Sequence, residues 1–291
     1  MKKLTQKPIV IAEVGCNHKG EIELAKEHIR IASICGADMV KFQKRNNREL
    51  LPREQYEAQH PNPSNSYGAT YGEHREFLEF SVDQHKDLKE YCEEIGIEYS
   101  TSVWDKISAR EISSLNPKSI KVPSACNLNF EMLQVLCDYF EGEIHLSFGM
   151  TTQEEEDQII NFFKSNGREK DVVIYSCTSG YPVAFNDICL LELSRIRKKF
   201  GDTVKLIGFS GHHLGIAADI AAMTLGAELI ERHFTLDRTW KGTDHAASLE
   251  PDGLRKLCRD IKNVHSALKI KHTDILPVEV VQREKLKWRS S

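Results

Sequence analysis

Short apolar runs alternate with longer amphipathic segments along almost the whole chain. Eight runs have the near-continuous apolar character of strands buried on both faces, at 8–14, 39–43, 97–103, 119–124, 143–148, 172–177, 205–210 and 228–234. Between and after them, apolar residues recur at helical spacing over 22–35, 83–95, 106–115, 129–139, 152–165, 190–200, 216–225 and 251–268. Strand followed by helix, repeated in this way, predicts an α/β fold, a (β/α)8 TIM barrel. An open doubly wound sheet is the alternative, but no GxGxxG follows the first strand. A single barrel domain is expected over 1–270, with a tail at 271–291 where the periodicity fades. The polar stretch 44–74 contains Pro61-Asn62-Pro63 and reads as a long loop after the second strand, suited to a lid.

Composition narrows the function classes. The 291 residues carry 39 Lys and Arg against 43 Asp and Glu, a net charge of −4, so nothing favours nucleic acid or an anionic membrane. No apolar run approaches the roughly 20 residues of a membrane span. The eight cysteines are scattered with no CxxC pair, which points to free thiols and a reducing cytoplasm. The N-terminus is basic and then apolar, but its apolar run is too short for a signal segment and is read as the first strand.

Polar residues in or just after buried strands need partners, because an unpaired buried polar group costs free energy. Glu13 ends strand one, Lys41 and Gln43 end strand two, and Ser102 ends strand three. Lys121 and Ser124 lie in strand four, Ser147 lies in strand five, and Ser179 and Tyr181 follow strand six. Ser210 and His212 end strand seven, and His233 ends strand eight. In a barrel all of these face one rim. Lysines and hydroxyls together suit a phosphate. Two imidazoles on adjacent strand ends suit a divalent metal. Glu13 is read either as a core carboxylate paired with Lys41 or as a substrate-holding, proton-moving group. Asp244 follows a Gly-Thr turn in the loop after strand eight.

The segments IAEVGCNHKG, VKFQK, TYGEHREFLEFS, KVPSACNLNF, CTSGYP, GFSGHHLGIA and ERHFTLDRTWKGTDHAASLEP, in that order, resemble the sialic acid synthases, the N-acylneuraminate and N-acylneuraminate-9-phosphate synthases. The resemblance covers about residues 8 to 288. It implies a transferase that condenses phosphoenolpyruvate with an N-acylmannosamine, its 6-phosphate or mannose 6-phosphate, releasing inorganic phosphate. It implies Mn2+ or Mg2+ on His212 and His233, with Glu13 also catalytic. It implies a phosphoenolpyruvate site of Lys41, Lys121, Ser124, Ser147, Ser179 and Ser210, with Glu13, Gln43, Tyr181 and Asp244 around the open-chain sugar. A homodimer is expected.

The chain departs from the family pattern in two ways. An acidic residue is usual two places after the serine of strand four, and here that place is Cys126. The usual C-terminal antifreeze-like domain has no counterpart before Ser291. The expectation is that other residues recognise the far end of the sugar, or that a separate antifreeze-like polypeptide does. Lys44, Arg45 and Arg48 are candidates for a 6-phosphate. Two other readings use the same residues: a non-catalytic homologue that binds sugar phosphate or phosphoenolpyruvate, and a Schiff-base barrel aldolase with Lys41 or Lys121 as nucleophile.

Overall fold

A computed structural model describes residues 7–288; positions 1–6 and 289–291 of the expected domain and tail lie outside the described residues. Eight parallel strands close into a barrel in chain order. They are β1 (Ile9–Gly15), β2 (Met39–Lys44), β3 (Glu98–Val103), β4 (Ser119–Val122), β5 (Glu143–Ser147), β6 (Val172–Cys177), β7 (Leu206–Gly211) and β8 (Leu229–His233). The predicted barrel is therefore observed, and most strand ends agree within one or two residues. One placement differs: Ser124 is not in β4 but opens a short 3-10 turn, Ser124–Cys126, just beyond it. Pro123 at the turn's entrance cannot donate a ladder hydrogen bond, so β4 stops at Val122.

Side-chain alternation explains the layers. Val10, Ala12 and Val14 point outward into the main core between strands and helices, with Val40, Phe42, Ile120 and Val122. Ile11, Met39, Val173, Tyr175 and Leu229 point inward and form a separate cluster inside the barrel. Two residues further along the same strands come Glu13, Lys41, Cys177 and Glu231. The barrel interior is thus apolar toward the strand N-termini and polar toward their C-termini.

The helices begin where the chain supplies caps. Ser81 and Thr152 each form a capping box, with Gln84 and Glu155, at Val82–Ile95 and Gln153–Ser165. Gly36 and Gly96 close their helices in the left-handed conformation. The stretch 44–74 is not one irregular loop. It contains helices Asn47–Leu50 and Arg53–Glu57 and a 3-10 turn Pro63–Asn65, and leads into helix Tyr71–Phe77. The tail holds helix Pro277–Leu286, none of whose residues is buried. Among the described residues no helix is long and apolar enough to cross a membrane.

Candidate active site

A cavity of about 420 Å³ opens at the C-terminal rim of the barrel, within the range that holds small ligands. Every residue expected at the rim lines it: Glu13, Lys41, Gln43 and Ser102; Lys121, Ser124, Ser147 and Ser179; Tyr181, Ser210, His212, His233 and Asp244.

Its floor is a buried network of opposed charges. The Lys41 ammonium lies against the Glu13 carboxylate, donates to the Ser102 hydroxyl at 2.9 Å and stands 3.8 Å from Glu231. Lys121 lies 3.3 Å from Glu231 and 3.3 Å over the centre of the Tyr175 ring. Ser210 donates to Glu231 at 2.8 Å. Burial acts on all four charges, and their neighbours decide the outcome. Burial pushes Glu13 up to about 7 despite Lys41. It pulls Lys121 down to about 8 despite Glu231. For Glu231 burial is outweighed by Lys121 and Lys41, which hold it well below the usual carboxylate range. For Lys41 the burial penalty is outweighed by Glu13 and Glu231, which raise it.

One wall is made of hydroxyls. The Gly149 N–H donates to Ser124 Oγ at 3.0 Å, and a β-carbon at Gly149 would fall 2.4 Å from the Ser179 hydroxyl and 2.6 Å from that of Ser124. Only glycine lets these serines converge on the backbone there.

The two histidines stand together, with ring centres 5.4 Å apart and Tyr181 packed 4.4 Å from His212. His212 Nδ1–H donates to the Thr178 carbonyl at 3.0 Å, which leaves Nε2 with a free lone pair. Burial pulls His212 down to about 4, and it also lowers His233, so both imidazoles are neutral near pH 7. His233 Nδ1 is buried without a protein partner. Neutral, lone-pair-bearing imidazoles are the form that binds a metal, so this pair fits a divalent cation. No group of three or more His, Cys, Asp or Glu ligands occurs among the described residues. Water or substrate oxygens would have to complete the coordination.

Several expectations need correction. Lys44 and Arg48 do not line the cavity. Lys44 is buried 3.4 Å from Glu111, and the exposed Arg48 reaches Glu76 at 3.4 Å. Arg45 does line the cavity, but its charge is spent on Glu79 at 2.5 Å. Conversely, the strand-end reading overlooks Glu231. Its place two residues before His233 puts both on the inward face of β8, and that alternation is the signal that identifies it. Cys126 is buried outside the cavity lining, and burial pushes its thiol up to about 12. Cys16 and Cys177 are the lining thiols, and Trp104, Tyr71, His60, His74 and Arg75 form an outer wall.

Comparison with known proteins places this geometry in a family. The NeuB family profile matches residues 28–273. The N-acetylneuraminate-9-phosphate synthase of Homo sapiens is 40% identical over 282 residues, covering 95% of this chain and 76% of the relative. The N,N'-diacetyllegionaminic acid synthase of Campylobacter jejuni is 32% identical over 265 residues, covering 90% of this chain and 78% of the relative. The N-acetylneuraminic acid (sialic acid) synthetase of Leptospira borgpetersenii superimposes with a TM-score of 0.80 at 25% identity, covering 98% of this chain and 94% of that one. With its barrel, its rim of lysines, serines and paired histidines, and these relatives, the chain belongs to the NeuB family.

Proposed function

We propose that this chain is a cytoplasmic transferase that condenses phosphoenolpyruvate with an N-acylmannosamine, free or 6-phosphorylated, or with mannose 6-phosphate. The product is a nine-carbon 2-keto sugar acid, with inorganic phosphate released. The observation that carries the reading is the convergence of Lys41, Lys121 and the serine wall with two neutral imidazoles in one cavity of a NeuB chain. The catalytic domain in this reading is the barrel, 1–270. The tail at 271–291, where Val278, Leu286 and Trp288 are exposed apolar residues, supports association as a homodimer.

The residues divide the work as follows. Lys41 and Lys121, with Ser124, Ser147, Ser179 and Ser210, hold the phosphate and carboxylate of phosphoenolpyruvate as charge-assisted donors in a partly dry pocket. A Mn2+ or Mg2+ ion on His212 and His233 would supply Lewis-acid polarisation of the sugar aldehyde. C3 of phosphoenolpyruvate forms a bond to the aldehyde carbon, the aldehyde oxygen takes a proton, and C2 is left electron-poor. Water adds to C2 and gives up a proton. The resulting tetrahedral centre expels inorganic phosphate and leaves the ketone. Glu13, pushed up to about 7, exchanges a proton readily near neutral pH and touches Lys41, so it suits transfer at the aldehyde oxygen. Gln43, Tyr181 and Asp244 would orient the sugar hydroxyls.

Glu13 and Glu231 raise Lys41 and so favour its ammonium over the free amine that a Schiff base needs, which weighs against Lys41 as an aldolase nucleophile. The test is incubation of phosphoenolpyruvate labelled at C3 with N-acetylmannosamine, its 6-phosphate or mannose 6-phosphate, followed by mass spectrometry. A labelled nine-carbon acid is expected, and Glu13→Gln should slow its formation at least about 100-fold. Unreacted phosphoenolpyruvate with every acceptor, from folded and Mn2+-loaded protein, would leave a binding homologue instead.

A further inference from the structure

Among the charged side chains lining the cavity, one cation lacks a counter-ion. Lys41 faces Glu13, Lys121 faces Glu231, and Arg45 is paired with Glu79. Arg75 forms no ion pair with any carboxylate among the described residues. Its guanidinium instead lies 4.9 Å from the centre of the Tyr71 ring and 5.7 Å from that of Trp104, the ring it shares with Arg45. Aromatic faces hold a guanidinium in place without neutralising it, so its donors stay free for an anion.

The local sequence is built to present this residue. Thr70 caps helix Tyr71–Phe77 in a capping box with Glu73. Gly72 sits flush on the Tyr56 ring, where a β-carbon would come within 2.5 Å. His74 Nδ1 accepts from the Tyr67 N–H at 3.1 Å and its ring packs 4.3 Å from His60. The segment TYGEH thereby anchors a short helix, and the next residue, Arg75, projects into the cavity.

We infer that Arg75 is a specificity-determining residue that binds a terminal phosphate on the sugar acceptor, so that the preferred acceptor is a hexosamine 6-phosphate. The inference rests on the synthase reading. Three carbons come from phosphoenolpyruvate and six from the sugar, so C6 of the acceptor becomes C9 of the product, the end farthest from the new bond. The outer wall carrying Arg75 belongs to the same cavity as the floor where phosphoenolpyruvate would sit. An unneutralised arginine at the outer end matches a dianion there.

The test compares N-acetylmannosamine with its 6-phosphate in wild-type protein, Arg75→Ala, Arg75→Lys and Arg48→Ala. Wild type should prefer the phosphorylated acceptor. Arg75→Ala should raise its KM about 10- to 100-fold, the loss of one charge-assisted contact. The KM for phosphoenolpyruvate and for N-acetylmannosamine should stay within about twofold, which also reports intact folding. Arg75→Lys should fall between, and Arg48→Ala should match wild type. An equal loss for both acceptors in Arg75→Ala, or no preference in wild type, overturns the inference. Calorimetric binding of N-acetylmannosamine 6-phosphate to wild type and Arg75→Ala separates it from the synthase reading. Absent turnover defeats that reading alone, whereas equal affinities defeat the role of Arg75 alone.

Discussion

Lys121 and Glu231 meet across the barrel interior with their charged atoms 3.3 Å apart, although 110 residues separate them in the chain. They stand on β4 and β8, opposite strands of the closed barrel. A pair so deeply buried binds the two halves of the barrel to each other and holds Lys121 as a cation in the place proposed for phosphoenolpyruvate. Removing the carboxylate would leave Lys121 buried without a counter-ion, while Lys41 keeps Glu13.

Glu231→Gln should therefore destabilise the protein by about 3 kcal/mol, in the range for breaking one partner of a buried pair. Saturating phosphoenolpyruvate should restore part of the loss, because its anionic groups replace the missing counter-ion. Urea unfolding midpoints with and without phosphoenolpyruvate check both statements. An unchanged midpoint would remove Glu231 from its structural role.

Cys126 occupies the place where the family resemblance leads one to expect an acidic residue, yet it lies outside the cavity and burial disfavours its thiolate. Cys126→Ala should leave kcat/KM within about twofold and cost about 1 kcal/mol for the small void. A hundredfold fall in kcat/KM with an intact fold would make this thiol part of the reaction.

Much of this site is legible in the sequence because β-strand alternation and barrel topology act together. Once Lys41, Lys121, Ser210, His212 and His233 are placed near strand ends, the fold brings them to one rim. Glu231 is harder to see because a carboxylate inside LIERH reads as an interruption of the strand until its lysine partner, on the far side of the barrel, is known. Arg75 is harder still. It sits in TYGEHREF, on a helix of seven residues too short to show periodicity, and its lack of a counter-ion is a property of three-dimensional neighbours alone. The same shortness hides Asn47–Leu50 and Arg53–Glu57. Pro277–Leu286 is missed because it has no buried residue, and its exposed apolar positions carry no signal of packing on the barrel.

Away from the site, buried histidines should set the acid limit of the fold. His28 Nδ1 bonds the Leu24 carbonyl and His85 Nδ1 bonds the Tyr99 hydroxyl, while the Nε2 of each is buried without a partner. Burial lowers His28 to about 4 and His85 to about 3. An unfolded histidine takes up a proton near pH 6.5, so the unfolded state binds more protons below that value. Their effect is absent above about pH 6.5 and destabilising as pH falls toward 4. The expected loss is on the order of 1–2 kcal/mol per histidine at pH 5. Urea unfolding at pH 7.5 and 5.0 should show it, and His28→Gln with His85→Gln should flatten the difference. An equal pH dependence in the variant would refute this assignment.

Synthase chemistry at the paired histidines is tested by phosphate release from phosphoenolpyruvate in the presence of Mn2+, with N-acetylmannosamine or its 6-phosphate as acceptor, for wild type and His212→Ala. Acceptor-dependent release is expected that EDTA abolishes, that added Mn2+ restores, and that His212→Ala lacks. Release that persists in EDTA and in His212→Ala, or that needs no acceptor, would contradict it.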